Sequence, residues 1–71
     1  MHQPEAPTES LGQYLRSHRE KAGLSLGGLA ALCGYSRSYL SKIETGSHTP
    51  GVQTVAHIAA TIGAHVARRA S

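Results

Sequence analysis

Apolar or small residues fall at Leu26, Leu29, Ala30 and Cys33, pause at Gly34, and resume three apart at Leu40 and Ile43. Spacings of three and four line up one face of a helix, and a single glycine breaks that pattern once. Two helices joined by so short a connection must cross rather than run end to end, which predicts a helix-turn-helix. Ser25 and Ser36 stand as caps before the two helices, at residues 26–33 and 37–44. Gly27 and Gly28 weaken the first of them by roughly 0.5 to 1 kcal/mol each relative to alanine. That turn therefore depends on packing by Leu29, Ala30 and Leu32, and is expected to fray.

The same periodicity predicts a helix on either side of this unit. Ser10, with Gln13 three residues later, opens a first helix over residues 11–22 through a capping box. Leu11, Leu15, His18 or Arg19, and Ala22 share its inner face, Gly23 is its left-handed stop, and Leu24 tucks in after it. A fourth helix is expected over residues 50–62, with Thr49 as cap and Pro50 at the first helical position. Val52, Val55, Ile58, Ala59 and Ile62 form its inner face, Gln53, His57 and Ala60 face out, and Gly63 ends it. The expectation is an all-α, compact four- to five-helix bundle over residues 10–64. Residues 1–9, with two prolines and almost nothing apolar, read as a flexible tail. Residues 65–71 read as a short last helical turn or a basic tail.

The third helix divides its faces most clearly. Leu40 and Ile43 point inward, while Arg37, Ser38, Ser41 and Lys42 point outward as short polar groups and two cations. Arg37 also sits in the first turn, where the helix dipole disfavours a cation by roughly 0.3 to 1 kcal/mol. A local penalty of this kind hints at an external partner.

Composition narrows the function classes. Seventy-one residues, 39% hydrophobic, with no Trp or Phe, leave room for one small core. Seven Lys and Arg against four Asp and Glu leave a formal charge of +3, which permits binding to a polyanion without requiring it. One cysteine cannot make an internal disulfide, no apolar run is long enough for a membrane helix, and the N-terminus does not read as a signal peptide. A cytoplasmic chain is expected. His2, His18, His48, His57 and His65 have no metal-binding spacing, and Cys33 reads as a small core residue. With no Asp in the chain and no phosphate-binding glycine loop, neither enzyme activity, metal nor cofactor is expected.

From Leu11 to about Ala64 the chain resembles the Xre or Cro type of helix-turn-helix domain found in phage repressors and many bacterial regulators. The resemblance is carried by LRSHREKAGLS, LAALCGYSRSYLSKIETG and TPGVQTVAHIAATIG, with Ala30, Gly34, Leu40, Ile43, Glu44, Gly46 and Pro50 in family spacing. It implies a bundle of four or five helices whose third enters the DNA major groove, and a sequence-specific transcriptional regulator, a repressor, acting on double-stranded DNA. Carried over by position, it implies base contacts from Ser36, Arg37, Ser38 and Lys42, and backbone contacts from Tyr39, Ser41, Thr45, Ser47 and His48. Arg or Lys donating to guanine O6 and N7 gives roughly 1 to 3 kcal/mol of discrimination per good contact. The resemblance also implies a partly buried structural ion pair between Arg19 and Glu44, joining the first and third helices.

Three departures from the family qualify these expectations. Leu26 stands where the family often has a glutamine that donates to a phosphate, Gly27 and Gly28 replace polar helix formers, and Arg69 stands where the last helix usually has an apolar residue. A homodimer on DNA is therefore left open. The alternative function is an antitoxin-like or adaptor module that uses the same fold to bind a protein partner, with weak DNA binding.

Overall fold

A computed structural model of the chain describes residues 10–70; the expected N-terminal tail and Ser71 lie outside them. Each of the first three helices starts on a serine. Ser10 Oγ accepts from Gln13 N at 3.2 Å while its own N donates to Gln13 Oε1 at 3.1 Å, opening α1, Leu11–Lys21. Ser25 Oγ accepts from Gly28 N at 2.9 Å before α2, Leu26–Cys33. Ser36 Oγ accepts from Tyr39 N at 3.0 Å before α3, Arg37–Thr45. In each case a short side chain satisfies a backbone donor that has no partner within the helix.

Glycines close the same three elements. Gly23, Gly34 and Gly46 hold φ of +75°, +80° and +88°, a region that penalises a Cβ. At the turn between α2 and α3 this bend lets both Gly34 N and Tyr35 N donate to Ala30 O, at 2.9 and 3.0 Å.

The fourth helix departs from the periodicity-based expectation at both ends. It is α4, Val52–Ala70, and it begins after Pro50 rather than with it. Thr49 and Pro50 stay in the connection, where Pro50 is buried. The first turn closes instead through Val55 N donating to Gly51 O at 3.1 Å. Nor does Gly63 stop the helix. It keeps a right-handed conformation, and the following Ala64, Ala67, Arg68, Arg69 and Ala70 are strong helix formers that outweigh one glycine. Of the two readings for the C-terminal stretch, residues 65–70 take the helical one, continuous with the rest of one nineteen-residue helix.

Leu15, Leu29, Leu40, Ile43 and Ile58 form the fully buried centre, completed by Ala22, Ala30, Cys33 and Ile62. Leu24, Leu26, Tyr35 and Tyr39 pack partly against it. Four positions expected in or against this core are exposed instead: Leu11, Leu32, Ala59 and, most of all, Val52 at 85%. Val52 lies in the first turn of α4, ahead of the stretch that reaches the core through Ile58 and Ile62. Helices α1 and α2 each pack on both α3 and α4.

Helix α1 comes close to α3 at Gly12. A Cβ there would lie 2.3 Å from Ile43 O and 2.6 Å from Glu44 O, so the start of α1 rests directly on the backbone of α3. Only a residue without a side chain permits that contact.

Candidate nucleic-acid interface

The core grips α3 through Leu40 and Ile43, each 1% exposed, leaving the opposite side of the helix to solvent. Arg37, Ser38 and Lys42 are exposed on that side, Ser41 is half-buried at its edge, and exposed Ser36 stands at the start. Ser36 uses its oxygen as an acceptor for the cap, so its hydroxyl proton remains available to an outside acceptor. Among the described residues, neither Arg37 nor Lys42 has a carboxylate within 4.0 Å; the acids Glu20 and Glu44 are engaged with Arg16 and Arg19. Two cations on one exposed helical face, uncompensated by the protein itself, favour an anion arriving from outside.

The remaining candidates gather where α3 ends. Thr45 Oγ1 donates to Ser41 O at 2.9 Å and lies 3.3 Å from Ser47 Oγ, while His48 N donates to Lys42 O at 3.1 Å. These bonds hold Thr45, Ser47 and His48 together in one exposed turn. Tyr39 is half-buried and less free. Its ring meets Tyr35 edge-on at 5.1 Å, and its hydroxyl lies 3.5 Å from His48 Nε2. Tyr39 therefore steadies the turn as well as bordering it.

One side-chain contact joins α1 to α3, and another joins α4 to α2. Arg19 Nε and Nη2 donate to Glu44 Oε2 and Oε1 at 2.8 and 3.0 Å, and Nη1 donates to Leu24 O at 2.8 Å. The side chains of the pair are only 10% and 8% exposed. The hydrogen bond to Glu44, with its nearby charge, pushes the Arg19 guanidinium above its ordinary pKa against the opposing effect of burial. A planar two-point clamp of this kind restrains direction as well as distance. His57 faces out as expected and is exposed, and in addition its Nε2 lies 2.9 Å from Cys33 O and its ring meets Tyr35 edge-on at 5.6 Å. It ties α4 to the end of α2. Burial pushes the Cys33 thiol up, with a hydrogen bond to Thr61 opposing, so the sulfur stays protonated at neutral pH.

Sequence reasoning missed Gly12 and Arg16. A glycine on the face shared by Leu15, Arg19 and Ala22 was a readable sign of close helix approach. Arg16 gave no such sign. It shares a cleft of about 730 Å³ with Ser10, Gln13, Leu26, Ser41 and Thr45, and the Arg19–Glu44 pair also lines that cleft. Among the described residues, no group of three His, Cys, Asp or Glu could hold a metal ion, and no helix is long and apolar enough to cross a membrane.

The family profile of the helix-turn-helix domain matches residues 10–71. The HTH-type transcriptional regulator SlrR of Bacillus subtilis (strain 168) is 45% identical over 53 residues, which cover 73% of this chain and 35% of that protein. The chain thus spans about a third of the length of the curated relative it matches. No solved structure matches it.

Proposed function

Because the chain belongs to the helix-turn-helix domain family, in its Xre-like form, we propose that it binds double-stranded DNA sequence-specifically as a transcriptional regulator, a repressor, with α3 in the major groove. The observation that carries this reading is the pair of uncompensated cations, Arg37 and Lys42, on the exposed face of a helix whose other face is locked into the core. Arg37, Lys42, Ser36 and Ser38 read base edges, the two cations donating to guanine O6 and N7. Ser41, Thr45, Ser47, His48 and the Tyr39 hydroxyl meet phosphates, which set register and supply salt-dependent affinity. The Arg19–Glu44 pair touches no DNA and holds the reading helix at its angle. The protein acts in the cytoplasm, associated with the nucleoid when DNA-bound, and needs no cofactor or catalytic step.

A second reading, an antitoxin-like or adaptor module for a protein partner, draws on one feature away from α3. A groove of about 390 Å³ between α1 and α4 has Ala22, Ala59, Ile62, Gly63 and Val66 along it.

Selection of binding sites from random DNA tests the first reading. A recovered G-containing motif whose binding is lost in the Arg37→Ala, Lys42→Ala double variant is the expected result; unchanged binding by that variant would sink the assignment of α3. Half-sites about one helical turn apart would indicate a two-fold dimer on DNA. Weak, sequence-indifferent DNA binding together with tight binding of a protein would favour the second reading.

A further inference from the structure

The DNA-binding reading leaves one flank of α3 without an obvious cation. Leu26, at the start of α2, has no polar atom on its side chain, so that edge of the reading helix has nothing there to hold a phosphate. Yet the cleft beside it brings α1 to the same opening: Arg16 lines it together with Leu26, Ser41 and Thr45. Gln13 and Arg16, three residues apart on α1, both line this cleft, whereas Tyr14, His18 and Lys21 line a groove on the helix's other flank.

Arg16 is equipped for the task. Its side chain is 61% exposed, and only its Nε is engaged, donating to Glu20 Oε2 at 3.1 Å. Among the described residues its two terminal nitrogens have no partner, so they can donate to a phosphate side by side. The other two charges of the cleft, Arg19 and Glu44, neutralise each other through their clamp. The net charge of the opening is therefore that of Arg16, balanced by Glu20 just outside, whose Oε2 also lies 4.0 Å from Arg19 Nη2.

We propose that Arg16 on α1 is a clamp for a DNA backbone phosphate, binding the strand that passes the Leu26 flank of α3, and that Glu20 restrains it by competing for the guanidinium. The proposal rests on the DNA-binding reading and adds a third helix to the interface. A phosphate contact carries no base information, so Arg16 contributes affinity on any sequence, and the two neighbours have effects of opposite sign. Removing Arg16 weakens binding. Removing the charge of Glu20 strengthens it.

The test is titration of a mixed-sequence duplex and of a duplex carrying the selected site, over a range of salt, with the wild type, Arg16→Gln, Arg16→Lys and Glu20→Gln. For Arg16→Gln the slope of log affinity against log salt should become shallower by about 0.9, with an affinity loss of roughly fivefold at low salt on both duplexes. The ratio between the two duplexes should stay unchanged. Arg16→Lys should restore the slope, and Glu20→Gln should bind more tightly than wild type. Both positions of change are exposed, and matching thermal melts separate a lost contact from a lost fold. Wild-type slope and affinity in Arg16→Gln, while wild type binds DNA specifically, would overturn the clamp alone. Weaker binding by Glu20→Gln would overturn its restraining role. A wild-type protein that binds neither duplex would overturn the DNA-binding reading and the clamp with it.

Discussion

Two arginines tie α1 to distant parts of the chain, and they do so in different ways. Arg19 is 8% exposed, makes three hydrogen bonds, and faces a carboxylate that is itself buried. Arg69 is exposed and makes a single 2.6 Å bond to Ala22 O, its guanidinium lying over Gly23. The first junction is backed by Gly12 resting on the α3 backbone; the second borders an open groove lined by Lys21, Ala22, Val66 and Ala70. The difference shows where this small domain concentrates its rigidity. The contact between α1 and α3 is a two-point pair between nearly buried side chains, whereas the contact near the end of α4 is a single bond from an exposed arginine.

Breaking the inner junction should have the largest effect. Arg19→Ala leaves the Glu44 carboxylate buried without its partner and should cost about 3 to 5 kcal/mol, measured as a fall in the midpoint of urea unfolding. A loss below about 1 kcal/mol would mean that the pair is solvated in solution, in the range of surface ion pairs. Because the damage is to the fold, lost DNA binding in this variant would not mark Arg19 as a contact. Gly12→Ala comes next. Its Cβ meets backbone rather than a movable side chain, so α1 and α3 must separate, at a cost of roughly 1 to 3 kcal/mol in the same assay. A variant as stable as wild type would show that the two helices can shift freely at that point. Arg69→Ala should be the mildest, about 0.5 kcal/mol, the low end for a hydrogen bond given its exposure. Its signature should be local: faster amide hydrogen exchange at residues 66–70 with the core unchanged. If Arg69→Ala instead unfolds the domain as readily as Arg19→Ala, the contrast between the junctions is wrong.

The first three helices were legible because their signals are local. Ser10, Ser25 and Ser36 each satisfy an amide three residues ahead, and Gly23, Gly34 and Gly46 adopt the conformation that only glycine adopts without strain. Similar reasoning failed at Gly63. A glycine ends a helix only when the chain beyond it turns away, and here AHVARRA continues as helix while Arg69 reaches back to α1. It failed again at Thr49 and Pro50, where proline suits a first helical turn and a preceding loop alike. Ala59 and Val52 share the period of Ile58 and Ile62, but periodicity marks a face without saying how wide a strip of it the neighbours cover.

By itself, then, the sequence determined the caps, the stops, the crossing of α2 and α3, and the split of α3 into an apolar face and one bearing Arg37, Ser38 and Lys42. Each follows from interactions reaching three or four residues. Tertiary structure alone decided that Gly12 touches the α3 backbone, that His57 holds Cys33 O, that α4 runs on past Gly63, and that Arg16 opens on the same cleft as Ser41. The Arg19–Glu44 contact, across 25 positions, was visible beforehand only through family resemblance. Such meetings depend on how whole helices pack, and no local spacing encodes the distance between two elements before the core has drawn them together.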